Sequence, residues 1–146
     1  MMNEINRLSD VGRRGPPDGP CFTIIARCVN GSETLHRVKD VLNMISQADA
    51  DRLWPSDDDW ARRLPLWFTE PFHGRTIQDV LKDDMLWDFG SWLDAMRHRG
   101  WEWWDGYCDD DLFMATLTCN DQVYSVDPLI YLVRQSGATS IKVIEK

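Results

Sequence analysis

Two runs of consecutive aspartates, Asp57-Asp58-Asp59 and Asp109-Asp110-Asp111, are the groups of this chain with the most evident chemical capacity. Carboxylate oxygens are the ligands that calcium and magnesium prefer, but an EF-hand loop alternates its acids around a central glycine and closes on a glutamate. Neither run does this. What remains is a surface field, which attracts basic partners and repels nucleic acid phosphates. The second run follows WEWWDGYC (101–108), with three tryptophans in four residues. Trp and Tyr are favoured interface anchors because a ring buries a large area at little cost in side-chain entropy, and neighbouring acids steer a cationic partner. The sequence therefore predicts a partner-binding patch of Asp57, Asp58, Asp59, Glu102, Trp103, Trp104, Asp105, Tyr107, Asp109, Asp110 and Asp111. Trp103 and Trp104 are the rings expected first at the surface.

Catalytic patterns are missing. No serine sits on a glycine-flanked strand-to-helix elbow, no phosphate-cradling glycine motif occurs, and H-E-x-x-H is absent. Nothing places His36, His73 or His98 beside Cys108. The four cysteines form no C-x-x-C pair and are expected to be free and largely buried. A Cys108–Cys119 cross-strand bridge is conceivable, but it suits an oxidising compartment. The expectation is a non-enzyme with no catalytic residues, no cofactor and no metal.

Charge is unevenly spread. The net −8 arises almost wholly in residues 76–111, where three bases face ten acids, while 112–146 carry three of each. Direct binding to nucleic acid is thereby disfavoured. The opening MMNEINRLSD lacks a basic segment followed by an apolar run, and no apolar stretch approaches the roughly 20 residues of a membrane span. A cytoplasmic protein without a membrane partner is expected.

The positioning elements follow from periodicity. Residues 1–20, ending in RRGPPDGP, read as a flexible lead-in, and 21–146 as one domain. Residues 21–29 read as a strand, and Asn30-Gly31 as a turn. Ser32 is the expected cap of a helix carrying Leu35, Val38, Val41, Leu42 and Ile45. Pro55 is expected to close a brief helix, and Ser56 with Asp59 to open another, its first turn holding Asp57 and Asp58 where the helix dipole favours acid. Residues 64–68 suggest a short strand, and 71–74 a loop. A second long helix runs from Thr76, capped with Asp79, through Ile77, Met85 and Trp92 to Arg99, with Gly100 as its stop and a possible break at Gly90-Ser91.

Three strands then form a meander. Alternation puts Trp101, Trp103, Asp105 and Tyr107 on one face of the first. Asn120-Asp121 is expected to turn the chain into a third strand over 123–126. Asp127-Pro128 opens a last helix, and 140–144 a final strand. The expected class is α+β, a largely antiparallel sheet including this C-terminal three-stranded meander, with helices packed on one face.

From Cys21 onward, in size, acidity and aromatic content, the chain resembles the immunity proteins that bacteria carry beside polymorphic and contact-dependent growth-inhibition toxins. The likeness is one of whole-chain character and transfers no residue role by position. It implies a small cytosolic α+β protein that binds a toxin domain tightly, often a basic nuclease, and covers its active site. The aspartates would then stand in for phosphates and the tryptophans fill the cleft. Twelve arginines against four lysines fit a GC-rich bacterial genome. Two other readings stay open: a Trp-lined small-molecule-binding or enzymatic domain, and an acidic secretion chaperone or adaptor.

Overall fold

The computed structural model describes residues 3–10, 13–83 and 86–145. Gly12, Met85 and the side chain of Ile77, which enter the sequence reading, lie outside what is described. Strands β1 (Cys21–Cys28), β2 (Trp101–Asp109), β3 (Leu112–Cys119) and β4 (Ala138–Glu145) form one antiparallel sheet in the spatial order β2-β3-β1-β4. Among the described residues the helices are α1 (Glu4–Ser9), α2 (Gly31–Asp51), α3 (Asp57–Arg63), α4 (Leu66–Thr69), α5 (Ile77–Lys82), α6 (Phe89–Arg97) and α7 (Asp127–Gln135). The class is α+β. No helix is long and apolar enough to cross a membrane among the described residues.

Strand alternation builds the core. Phe22, Ile24, Ala26 and Cys28 of β1 are buried, and so are Phe113, Ala115 and Leu117 of the neighbouring β3. Against this face α2 lays Val38, Val41, Leu42 and Ile45, a stripe at helical spacing whose members each contribute roughly 1.5–3 kcal/mol by burial. Behind α2 an aromatic group closes the core: Phe68 lies 4.5 Å from Trp92 and 6.1 Å from Tyr131, ring centre to ring centre. The four cysteines are free.

Several local expectations change in three dimensions. The stretch read as a lead-in contains α1, which has Asn3 as its N-cap and buries Glu4, Arg7 and Leu8. Asn30, not Ser32, caps α2, its side chain accepting from the Glu33 N–H at 3.1 Å. No brief helix closes at Pro55, because α2 runs unbroken to Asp51 and ends on Arg52 in the left-handed conformation, φ 56°. Residues 64–68 are not a strand. The Pro65 carbonyl accepts from the Phe68 and Thr69 N–H groups at 3.0 and 3.1 Å and starts α4, which delivers Phe68 to Trp92. Glu70–Phe72, expected as loop in part, is a short 3-10 turn.

The expected long helix is two. Thr76 and Asp79 form a reciprocal capping box at α5, while Asp88 caps α6 by accepting from the Ser91 N–H at 3.0 Å, so the break falls ahead of Gly90-Ser91. The meander has two strands, not three. Residues 123–126 pair with no strand; Tyr124 stacks on Phe22 at 5.3 Å, and the Ser125 carbonyl accepts from the Trp101 indole at 2.6 Å. Anchoring this segment on rings leaves Val123 85% exposed and removes it from the sheet.

Candidate partner-binding site

The strand β2 carries the predicted aromatic-acidic residues, and a bulge redistributes them. Trp103 pairs with Leu117, but Asp105 pairs with Thr116, so Trp104 is the extra residue. Trp101 and Trp103 point into the core and are 1% and 0% exposed, which corrects the expectation that Trp103 reaches solvent. Beyond the bulge the alternation flips: Gly106 and Cys108 stand opposite the core residues Ala115 and Phe113, while Asp105 and Tyr107 face outward. A Cβ on Gly106 would lie 2.4 Å from the Trp103 ring, so glycine is what lets that indole lie flat beneath the strand.

The outward groups of β2 already hold a basic segment, and it is the chain's own. The Arg7 guanidinium donates to the Trp103 carbonyl at 2.7 Å and to Glu102 at 3.1 Å, and lies 5.5 Å from the Trp104 ring centre. Arg14 donates its backbone N–H to Asp105 at 2.8 Å and its side chain to the Trp104 carbonyl at 3.2 Å. Arg13 sits 5.6 Å from the Tyr107 ring, and the Trp104 indole donates to the Gly15 carbonyl at 2.8 Å. Asp105, expected at the binding surface, is 6% exposed as a result. Trp104 is only partly exposed, and Tyr107 is 38% exposed. The chemistry read from the residues, rings and carboxylates meeting arginines, is present here as an intramolecular contact.

Below it lies a buried ion cluster. Glu4 accepts from the Trp103 N–H at 2.7 Å, from Ser46 at 2.5 Å and from Arg99 at 2.9 Å, and Arg99 also donates to Asp49 at 2.7 Å. Burial pushes the Glu4 carboxyl above its ordinary range, against the opposing pull of Arg99.

The two aspartate runs do not form one patch. The β2–β3 turn docks at the start of α2, where the Asp110 carbonyl accepts from Gly31 N–H and the Asp111 carbonyl from Cys28 N–H, both at 2.7 Å. Asp57, Asp58 and Asp59 open α3, a short connection beyond the other end of α2. A helix of 21 residues separates these ends by about 30 Å. Asp111 makes an exposed pair with Arg27 at 3.2 Å, and Asp59 pairs with Arg62.

At the α3 end a ring and carboxylates do meet in the open. Asp57 and Asp88 each bring an Oδ2 within 2.9 and 3.7 Å of the point where a Cβ on Gly90 would sit, so the bare glycine lets both close over the first turn of α6. The hydrogen bonds with Ser91 hold the Asp88 carboxyl below its ordinary range. Asp57 and Asp94 line a depression of about 540 Å³ walled by Trp54, with the Arg97 guanidinium 5.6 Å from that ring. Leu53 beside it is 75% exposed. Trp54, Asp88 and Asp94 escaped the sequence reading. The available signal was Leu53-Trp54-Pro55, two large apolar residues at a helix break. No family model, curated protein or solved structure matches this chain.

Proposed function

We propose that this chain is a non-catalytic acidic binding protein that neutralises a basic protein partner in the cytoplasm, as an immunity protein neutralises its toxin. The observation that carries the reading is the corner where Trp54 and the exposed Leu53 stand beside Asp57, Asp58, Asp59, Asp88 and Asp94, with Arg62 and Arg97 set among these acids and Arg52 and Arg63 lying on the far side of Trp54. The acids supply long-range attraction and speed encounter, and the two apolar side chains supply short-range burial. A partner lysine or arginine meeting Asp57 or Asp94 gains a charge-assisted hydrogen bond beside an indole that shields it from water. The same field disfavours nucleic acid as the partner.

The partner to test is the domain encoded by the reading frame immediately upstream of this gene, which the proposal requires to be basic and toxin-like. Stopped-flow association with that domain, across about 50 to 500 mM NaCl, is expected to slow steeply as the Debye length shrinks. Trp54→Ala is expected to raise the dissociation constant about 100-fold, the weight of an aromatic hot spot. A rate indifferent to salt together with full affinity in Trp54→Ala would overturn the reading.

A further inference from the structure

We propose that the cleft on the other side of Trp54, between the last turns of α2 and α3, is a binding site for an organic carboxylate with a flat apolar body. Its volume is about 660 Å³, within the range of roughly 300–1,000 Å³ typical of small-ligand sites. Met44, Leu53 and Trp54 give it apolar walls, and Trp54 meets Trp60 edge-on at 5.1 Å. A planar group entering here finds an indole to lie against.

Charge selects the ligand's sign. Arg52 and Arg63 line this cleft, and among the described residues neither enters a salt bridge or a side-chain hydrogen bond. The one lining carboxylate, Asp51, accepts from the Gln47 amide at 3.2 and 3.3 Å. Two uncommitted guanidinium groups in a protein of net charge −8 mark a local reversal of the field. Arg52 occupies its place by backbone geometry: it is the left-handed C-cap of α2, its N–H bonded to the Asp49 carbonyl at 3.2 Å. Planar guanidinium forks match a carboxylate in two parallel hydrogen bonds.

A second observation points the same way. Trp60 is 1% exposed, and its indole N–H has no acceptor; among the described residues the only other buried side-chain nitrogen in that condition is Arg99 Nε. Buried donors are satisfied as a rule, and an unmade bond is costly. Trp60 lines this cleft in edge contact with Trp54, so a ligand oxygen supplies the acceptor it lacks when the half-exposed Trp54 ring shifts aside. Across Trp54 the acids of the opposite depression repel an anion, which confines it to this side.

Phenylacetate is the probe, with phenethylamine as its cationic counterpart. The full chain is titrated by tryptophan fluorescence and by the NMR signals of its indole N–H groups. A ligand of about ten heavy atoms in such a site is expected to saturate near the millimolar range. The indole N–H signal that Trp60→Phe deletes is expected to move downfield. Arg52→Gln and Arg63→Gln, both at exposed positions, are each expected to weaken phenylacetate about tenfold, and the amine is expected to bind at least about tenfold more weakly than the acid. No saturation by about 10 mM, an equal response to the amine, or unchanged affinity in the Arg52→Gln/Arg63→Gln double variant would each overturn the proposal. No protein partner enters the measurement, so its outcome is independent of the binding role proposed above.

Discussion

A carboxylate enclosed away from water holds its proton more tightly, and Glu4 is 7% exposed. Burial is the dominant influence on it and raises its pKa above the ordinary 4.5, although Arg99, Ser46 and the Trp103 N–H all favour the ionised form. With the folded value above the unfolded one, the folded state binds the proton better. The resulting stabilisation is complete below about pH 4.5 and is lost as pH rises through the raised folded value. Glu4→Gln keeps a hydrogen-bonding oxygen but cannot titrate. Urea denaturation of both proteins from about pH 4 to 7 is expected to show the wild type losing stability relative to Glu4→Gln as pH rises. A gap that stays flat or widens in favour of the wild type would contradict the burial argument. At this scale the sequence was readable where the chemistry is local: Ser56 and Thr76 cap their helices. The expected run to Arg99 with Gly100 as its stop is not what forms, because α6 ends at Arg97 on the C-cap His98, and Gly100, φ 78°, lies in the link to β2. The bulge at Trp104 was not readable, because it depends on the register against β3 and on arginines about ninety residues away.

The element that most repays attention is the one too short to announce itself. Helix α1 has six residues, below any length that could persist alone in water, and no periodic stripe. It forms because Glu4 and Arg7, one turn apart, satisfy the N–H and the carbonyl of Trp103 on β2, one of the two edge strands of the sheet. A carboxylate accepting and a guanidinium donating take the place of a neighbouring strand, and an edge so occupied is closed to pairing with another chain. The Glu4→Ala/Arg7→Ala variant leaves those groups unpaired and Arg99 with Asp49 as its remaining carboxylate partner. A loss of about 3 kcal/mol is expected, with concentration-dependent association through the freed edge. Light scattering coupled to gel filtration of the variant and the wild type at matched high concentration reads the second effect, and equal masses would show that α1 is not what protects this edge. Long α2 and strand β1 were legible from pattern, since their stripes face a core the chain itself supplies. The two-stranded hairpin was not, since Tyr124 and Trp101 divert 123–126 by ring contacts that alternation does not encode.

Across the whole molecule the acid excess is divided by the length of α2 into two ends, each carrying an aspartate triplet. The sequence gives the total charge and its position along the chain, and it cannot give this separation, which follows from where a single helix crosses the sheet. Only the α3 end combines carboxylates with Trp54 and Leu53 in the open; at the other, the aromatic strand is covered by Arg7, Arg13 and Arg14. The two ends therefore make separable predictions about the proposed basic partner. Asp57→Asn/Asp58→Asn/Asp59→Asn is expected to slow association about fivefold at low salt, with a loss near 1 kcal/mol in stability because these acids also complement the α3 dipole. Asp109→Asn/Asp110→Asn/Asp111→Asn is expected to change the association rate less than about twofold, and stability hardly at all, since the Arg27–Asp111 pair is exposed on both sides. Measured side by side at one ionic strength, the reverse ranking of the two triplets would move the docking surface to the β2–β3 turn and take Trp54 out of it.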